Sequence, residues 1–195
     1  PAGSYVLTLE DNGVPCLYVE NILITEPSEF IIEDNVANNP SCYGYTDGYI
    51  ELFPSGGVPP YEQVEYVNLG QGFYEVYGQD ANGCQTVSES FSLTAPPEII
   101  IEQSVISNYN GFNVSCNNLN IGDNTNGSIS ILDVSGGSGS GYTYAWTAID
   151  LAGIEIDLNS QVNSPDLVGL FPGIYSLFIT DGQGCVSEEF IFNII

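Results

Sequence analysis

The stretch Gly173-Ile-Tyr-Ser-Leu-Phe-Ile-Thr-Asp-Gly-Gln-Gly-Cys185 decides the fold, because the chain contains it in three versions. The other versions are Gly72-Phe-Tyr-Glu-Val-Tyr-Gly-Gln-Asp-Ala-Asn-Gly-Cys84 and Gly3-Ser-Tyr-Val-Leu-Thr-Leu-Glu-Asp-Asn-Gly-Val-Pro-Cys16. Each version has a Gly, any residue and a Tyr, then an alternating strand, an Asp, a Gly-containing turn and a Cys. Internal repetition of this kind indicates one structural unit that is built more than once.

Proline-containing boundaries at Pro27 and at Ala95-Pro-Pro97 divide the chain into repeats. Residues 1–26 read as the closing part of a truncated repeat, and we expect its other strands upstream of Pro1. Residues 27–96 read as a complete repeat, and residues 97–195 as another with an insertion at about 147–168. Short strands at intervals of about 8–12 residues with Gly and Pro turns predict an all-β chain of tandem immunoglobulin-like β-sandwich repeats, elongated in shape.

The charge composition excludes several classes of function. The chain has 25 Asp plus Glu, no Lys, Arg or His, and a formal net charge of −25. Catalytic triads need an imidazole, and binding to nucleic acids or anionic membranes needs cations. What remains is carboxylate chemistry, either a glycosidase pair or a calcium site. No pattern in the sequence predicts a cleft, so we expect no enzyme and no cofactor, with calcium as the one alternative, and a stability that rises with salt or calcium.

The five cysteines suggest one disulfide per repeat. Each complete repeat has a Cys that opens its first core strand and one that closes the repeated stretch, which predicts Cys42–Cys84 and Cys116–Cys185. Cys16 occupies the closing position of the truncated repeat, so its partner is expected upstream of the chain. The alternative is five reduced thiols buried as small hydrophobic groups. Disulfides favour an extracytoplasmic location.

Acidic side chains recur at the turn of the repeated stretch, at Asp80 and Asp181 (and at Asp11 in the first version). Each is a weak candidate for a calcium ligand, although one carboxylate falls short of the roughly six to eight oxygens that calcium takes. Capping of the turn by the Asp itself is the favoured interpretation. The insertion contains the densest acidic loop, with Asp150 and Asp157, and a solvated loop is favoured there over a calcium or partner site.

Aromatic residues recur at structural positions. Tyr5, Tyr74 and Tyr175 each follow a Gly by two residues at the start of a strand, the pattern of a tyrosine corner in Greek-key sandwiches. Trp146 lies on the strand whose Trp packs against the disulfide in immunoglobulin-like domains. We interpret all four as core residues; for Trp146 the alternative is a platform that stacks on a sugar.

Together these anchors resemble the SprB repeat. In the repeat at residues 27–96 they are Cys42, Gly48-Tyr-Ile50, Gly56-Gly-Val-Pro-Pro-Tyr61, Leu69-Gly-Gln-Gly-Phe-Tyr74 and Asp80-Ala-Asn-Gly-Cys84. In the repeat at residues 97–195 they are Cys116, Gly127-Ser-Ile129, Gly136-Gly137, Tyr142-Thr-Tyr-Ala-Trp146, Leu170-Phe-Pro-Gly-Ile-Tyr175 and Asp181-Gly-Gln-Gly-Cys185. This last repeat lacks the Pro before its Tyr and carries the insertion.

The resemblance implies immunoglobulin-like modules of very large surface proteins from gliding Bacteroidota. It implies an extracellular adhesin that is exported by type IX secretion and carried along the cell during gliding, without direct membrane insertion. Its partners would be neighbouring repeats of the same polypeptide, and surface glycans or other surface proteins. In other giant secreted proteins such repeats serve as spacers. The alternative function is a glycan- or calcium-dependent binding module, with the insertion as its recognition loop.

Overall fold

A computed structural model describes residues 1–10, 17–115 and 126–195, with no side-chain description for Leu17. Every sheet in this part of the chain is antiparallel. The prediction of an all-β chain is confirmed, whereas the immunoglobulin-like topology stays a prediction. The strands are β1 (Gly3–Glu10), β2 (Leu17–Ile24), β3 (Ile31–Asn38), β4 (Gly48–Ser55), β5 (Glu65–Leu69), β6 (Gly72–Val76), β7 (Glu89–Leu93), β8 (Ile100–Ile106), β9 (Gly127–Ser135), β10 (Thr143–Asp150), β11 (Asp166–Leu170), β12 (Gly173–Thr180) and β13 (Phe190–Ile194), with a 3₁₀ helix at Asn159–Asn163.

The first compact unit comprises residues 1–38 and 48–93. It contains the sheet β3-β4-β5, the sheet β6-β7 and the hairpin β1-β2. Alternation along β4 turns Ile50 and Leu52 inward, where they meet Val76 of β6 and Leu93 of β7 in one core. Successive side chains of a strand point to opposite faces, so the period-2 pattern seen in the sequence produces this core directly.

The second compact unit comprises residues 39–47 and 94–195. Its two sheets are β11-β9-β8 and β10-β12-β13. Strand β12 alternates between buried and less buried positions along its whole length, with Tyr175, Leu177 and Ile179 fully buried. They share a core with Ile129 and Ile131 of β9. Loop 39–47 lies between β3 and β4 in sequence but belongs to this unit.

The two units differ at the strand that follows the Gly-Gly turn. In the second unit all eight residues of β10 pair with β12. In the first unit the segment after Pro60 makes an isolated bridge between Glu62 and Gln79 before the chain enters β5, which pairs with β4. The predicted insertion therefore allows β10 to extend before the chain returns through the 3₁₀ helix to β11, which pairs with β9 as β5 pairs with β4.

The hairpin β1-β2 is exposed on both faces. Tyr5 is 40% exposed, so the interpretation of Tyr5 as a core residue is wrong for this structure. The physical reason is that no sheet among the described residues covers this hairpin as β3-β4-β5 covers β6-β7; in that part of the chain β1 and β2 pair only with each other. The predicted turn at Asp11–Gly13 and Cys16 lie outside the described residues.

In the described part of the chain, no helix is long and apolar enough to cross a membrane. Every buried side-chain nitrogen and oxygen among these residues has a hydrogen-bond partner. A chain without Lys or Arg thus satisfies its buried polar groups through backbone and neutral side-chain partners.

Candidate functional site at the closing turn

The turn that ends the repeated stretch is held by the carboxylate of its Asp. In the first unit Asp80 Oδ1 accepts N–H bonds from Asn82 and Cys84, at 2.9 and 2.8 Å. Its Oδ2 accepts a bond of 3.0 Å from the N–H of Val58, which follows the Gly-Gly turn. One buried carboxylate thereby joins two turns that are 22 residues apart.

The second unit repeats this arrangement atom for atom. Asp181 Oδ1 accepts from the N–H groups of Gln183 and Cys185, each at 2.9 Å, and Oδ2 accepts from Ser138 at 2.7 Å. Gly137 must be glycine here, because its φ is +53° and an added Cβ would collide with Asp181 Oδ2. The sequence motif Gly-Gly and the motif Asp-x-x-Gly-Cys are thus two halves of one structural clasp.

Both carboxylates remain ionised under ordinary conditions. Burial acts to raise the pKa of Asp181, but the N–H bonds from Ser138, Cys185 and Gln183 outweigh it and hold the pKa below its ordinary value. Asp80 has its pKa lowered by the same balance of opposing effects. A carboxylate that accepts several backbone N–H bonds is stabilised in its charged form.

The candidate calcium ligands are engaged in turn capping. Asp80 and Asp181 accept N–H groups at both carboxylate oxygens, as the turn-capping interpretation predicts. Asp150 Oδ1 accepts from Ala152 and Ile154, and Asp157 Oδ1 accepts from Asn159. Among the described residues no cluster of three or more Cys, Asp or Glu is arranged to hold a metal ion.

The three repeated tyrosines make the same hydrogen bond. Each hydroxyl donates to the carbonyl four residues earlier, from Tyr5 to Pro1, from Tyr74 to Gly70 and from Tyr175 to Phe171, at 2.6, 2.9 and 2.9 Å. This is the hydrogen bond of a tyrosine corner. Tyr175 is fully buried, and burial raises the pKa of its hydroxyl.

Trp146 lies in the core of the second unit. Its indole is 2% exposed and packs against Phe192, with ring centroids 5.5 Å apart. The indole N–H donates to the carbonyl of Ser164, at the end of the insertion, at 2.8 Å. No face of the ring is left for a sugar to stack on, so the insertion is fastened to the core through this residue.

The predicted disulfide pairing is wrong. Cys42 is bonded to Cys185, with the two Cα atoms 5.4 Å apart, and Cys84 is an exposed thiol. The prediction assumed that each repeat closes upon itself, whereas the loop that carries Cys42 belongs to the second compact unit. The partner predicted for Cys185 was Cys116, which like Cys16 lies outside the described residues.

The loop that carries Cys42 is shaped by an internal Ser–Asp contact. The backbone N–H and the hydroxyl of Ser41 both donate to the carboxylate of Asp47, at 2.9 and 2.5 Å. These bonds lower the pKa of Asp47.

Tyr43 and Tyr45 follow the Cys, are about half exposed, and border a cavity of about 220 Å³. Its other lining residues are Gly44, Pro97, Glu98, Ile99, Cys185, Val186, Ser187 and Glu188.

Two hydroxyl residues beside the clasp were not predicted from the sequence. Thr86 Oγ1 accepts the N–H of Gly78, and Ser187 Oγ accepts the N–H of Ile179, each at 2.9 Å. Both hydroxyl residues are buried, and each follows the closing Cys by two residues. The signal that would have identified them is the pattern Cys-x-Thr/Ser in both complete repeats.

Comparison with curated proteins finds no match. Comparison with protein families finds a match to the SprB repeat at residues 35–62, which span the end of β3, the Cys42 loop, β4 and the Gly-Gly turn. The resemblance found in the sequence is therefore confirmed over this stretch of the chain.

Proposed function

We propose that this chain is a structural and adhesive segment of a giant acidic protein on a bacterial surface. Its repeats serve there as an extended stalk or filament in surface adhesion and gliding. The observation that carries the proposal is the match of residues 35–62 to the SprB repeat, which suggests a segment of a SprB-like surface adhesin. The Cys42–Cys185 disulfide supports it, because disulfides persist in extracytoplasmic compartments.

The repeated clasp also supports a structural role. In both compact units the buried carboxylate, the Gly-Gly turn and the corner tyrosine make hydrogen bonds within the fold. The residues that the sequence singled out as candidate ligands therefore stabilise the module. This use of polar groups fits a stalk better than a catalytic module.

The location is tested by antibodies raised against this chain and applied to intact cells of the organism that produces it. We expect the antibody to label unpermeabilised cells, while an antibody against a cytoplasmic protein labels only permeabilised ones. Deletion of the coding segment in frame should reduce attachment to glass and spreading on agar. Labelling that requires permeabilisation would refute the surface role.

The alternative binding function is tested on the purified chain with a glycan array and with calcium titration calorimetry. The bonding of Trp146, Asp80 and Asp181 described above argues against it. We expect no saturable signal in either assay. Saturable binding of a glycan or of calcium, lost when residues 150–163 are replaced by a Gly-Ser linker, would make the insertion a recognition loop and the chain a binding module.

A further inference from the structure

The two closing cysteines occupy equivalent positions but have different surroundings. Cys84 and Cys185 end turns with the same carboxylate bonds. Their neighbours Gln85 and Val186 make equivalent bridges, to Gln79 and Thr180. Yet Cys185 is 4% exposed and bonded to Cys42, while Cys84 is exposed.

The difference arises from a groove that is covered in one unit and open in the other. In the second unit Tyr43, Gly44 and Tyr45 lie over the strip formed by Pro97–Ile99 and Cys185–Glu188. In the first unit the corresponding strip borders an open groove of about 400 Å³, and no described residue of the first unit takes the place of those tyrosines. The groove is lined by Glu29, Phe30, Ile31, Ile32, Cys84, Gln85, Val87 and Glu89, and Val87 is 86% exposed.

The loop that covers the second groove is itself a recurring part. Asn39 Oδ1 accepts the N–H of Thr94, at 2.9 Å, and Asn113 Oδ1 accepts the N–H of Ile195, at 3.1 Å. The N–H of Ser115 donates to Asn126 Oδ1 at 2.9 Å, as that of Ser41 donates to Asp47 Oδ1. Each of these Ser residues directly precedes a Cys. We call such a segment the opening loop of its repeat.

We propose that the groove at Cys84 is a docking site for the opening loop of another SprB-type repeat, whose Cys forms a disulfide with Cys84. The rule that follows is a staggered bond between the opening Cys of one repeat and the closing Cys of another, as in Cys42–Cys185. Glu29 and Glu89 border the groove, so an uncharged Tyr-Gly-Tyr segment suits it better than an acidic one.

The bond forms by ordinary thiol oxidation. The two thiols lose two protons and two electrons, which a disulfide oxidant (a thiol–disulfide oxidoreductase or a small-molecule disulfide) accepts as it is reduced to two thiols. Docking of the loop raises the effective concentration of its sulfur at Cys84, and this is what selects the pair. The proposal rests on the geometry of the two grooves and not on the surface role, so each can fail without the other.

The test uses the full chain with Cys16→Ser and Cys116→Ser, so that Cys84 is the single thiol outside the Cys42–Cys185 bond. The probe is a synthetic peptide of residues 39–48 whose Cys carries a 2-thiopyridyl group. The Cys84 thiolate attacks the peptide sulfur and releases pyridine-2-thione, which is followed by absorbance. We expect the native peptide to react at least about tenfold faster than one with both tyrosines replaced by Ser, since a tenfold difference corresponds to a modest docking energy.

A variant of the groove separates docking from intrinsic thiol reactivity. Val87→Asp places a charge in the groove at an exposed position, and should remove the advantage of the native peptide. Val67→Asp, at an exposed position outside the groove, is the matched control and should keep it. Equal rates for the two peptides, an advantage that survives Val87→Asp, or preferential formation of Cys84–Cys84 dimers would each overturn the proposal.

Discussion

At the scale of single residues, the closing turn depends on one buried carboxylate in each unit. In Asp181→Asn, one oxygen becomes an NH₂ group that faces a backbone N–H and cannot accept from it. We expect the free energy of unfolding to fall by about 1.5–3 kcal/mol, the typical cost of a lost charged hydrogen bond. Urea unfolding of the second unit, followed by the fluorescence of the single Trp, measures this change.

The matched control for this variant is Glu189→Gln. Glu189 is exposed, and its replacement removes the same charge without disturbing the clasp. Exposed substitutions of this kind change stability by no more than about 0.5 kcal/mol. Similar losses in the two variants would show that the charge matters and the hydrogen bonds of Asp181 do not.

The same residue gives a prediction for pH. Because the pKa of Asp181 in the folded chain lies below its ordinary value of 3.8, its ionisation stabilises the fold. This contribution is complete above the ordinary pKa and is lost as the pH falls through the lower folded value. The difference in unfolding free energy between wild type and Asp181→Asn should therefore stay constant above about pH 5 and shrink below about pH 3.8.

This pH prediction is checked by repeating the urea titrations in a series of buffers. The Glu189→Gln variant serves again as the control, since an exposed carboxylate has no clasp to lose. A gap between wild type and Asp181→Asn that persists undiminished at about pH 2, where the carboxyl of the unfolded chain is protonated, would contradict the proposed role of the charge.

Residue roles that depend on local sequence could be read from the chain, and those that depend on distant partners could not. The turn-capping role of Asp181 follows from a turn two to four residues long, and the bond of Tyr175 from a carbonyl four residues away. The bond from Asp181 to Ser138 spans 43 residues, and nothing in the local pattern indicates it. The exposure of Tyr5 was missed for the same reason, because it depends on a covering sheet.

At the scale of elements, the most consequential feature is the assignment of loop 39–47 to the second compact unit. Peptide mapping under non-reducing conditions should recover Cys42 linked to Cys185. Trypsin has no site in a chain without Lys or Arg, so a protease specific for acidic residues is needed. Recovery of a Cys42–Cys84 peptide in place of this one would restore the original pairing and remove the basis for staggered bonds.

The disulfide should also stabilise the second unit. It closes a segment with a sequence separation of 143 residues, and the chain-entropy model assigns about 5 kcal/mol to a loop of this length. Replacing Cys42 and Cys185 together by Ser should lower the unfolding midpoint reported by Trp146. Cys84→Ser is the control, because Cys84 is exposed and carries no disulfide in the described chain. Equal midpoints for the two variants would contradict this role.

Strands were predicted well where one face is buried, and poorly where pairing alone defines them. The alternation in β4, β9 and β12 reflects a core on one side, which the sequence records at every second residue. The segment after Pro60 also contains strand-forming residues, but Glu62 makes an isolated bridge with Gln79 and regular pairing begins only at Glu65 in β5. Propensity favours a longer strand there, and the short connection to β5 limits it.

At the scale of the whole molecule, stability must be achieved against a net charge of −25. Lys and Arg are absent, so side-chain ion pairs cannot offset this charge. A few ionised carboxylates, such as that of Asp80, instead accept hydrogen bonds from backbone N–H groups, and most of the others are exposed to water. Such an arrangement stabilises each buried charge individually but leaves the long-range repulsion in place.

Screening should therefore stabilise the chain. Raising NaCl from about 10 mM to about 0.5 M shortens the Debye length from about 30 Å to under 8 Å, which suppresses repulsion between exposed carboxylates. Relief of about 1 kcal/mol corresponds to a Tm increase of about 4–8 °C for units of this size. Differential scanning calorimetry across the NaCl series measures this increase in Tm, with MgCl₂ and CaCl₂ compared at equal ionic strength.

Because the candidate calcium ligands already accept N–H bonds, calcium should raise the Tm no more than magnesium does. A Tm independent of salt would refute the repulsion argument, and a rise specific to calcium would reveal a coordination site.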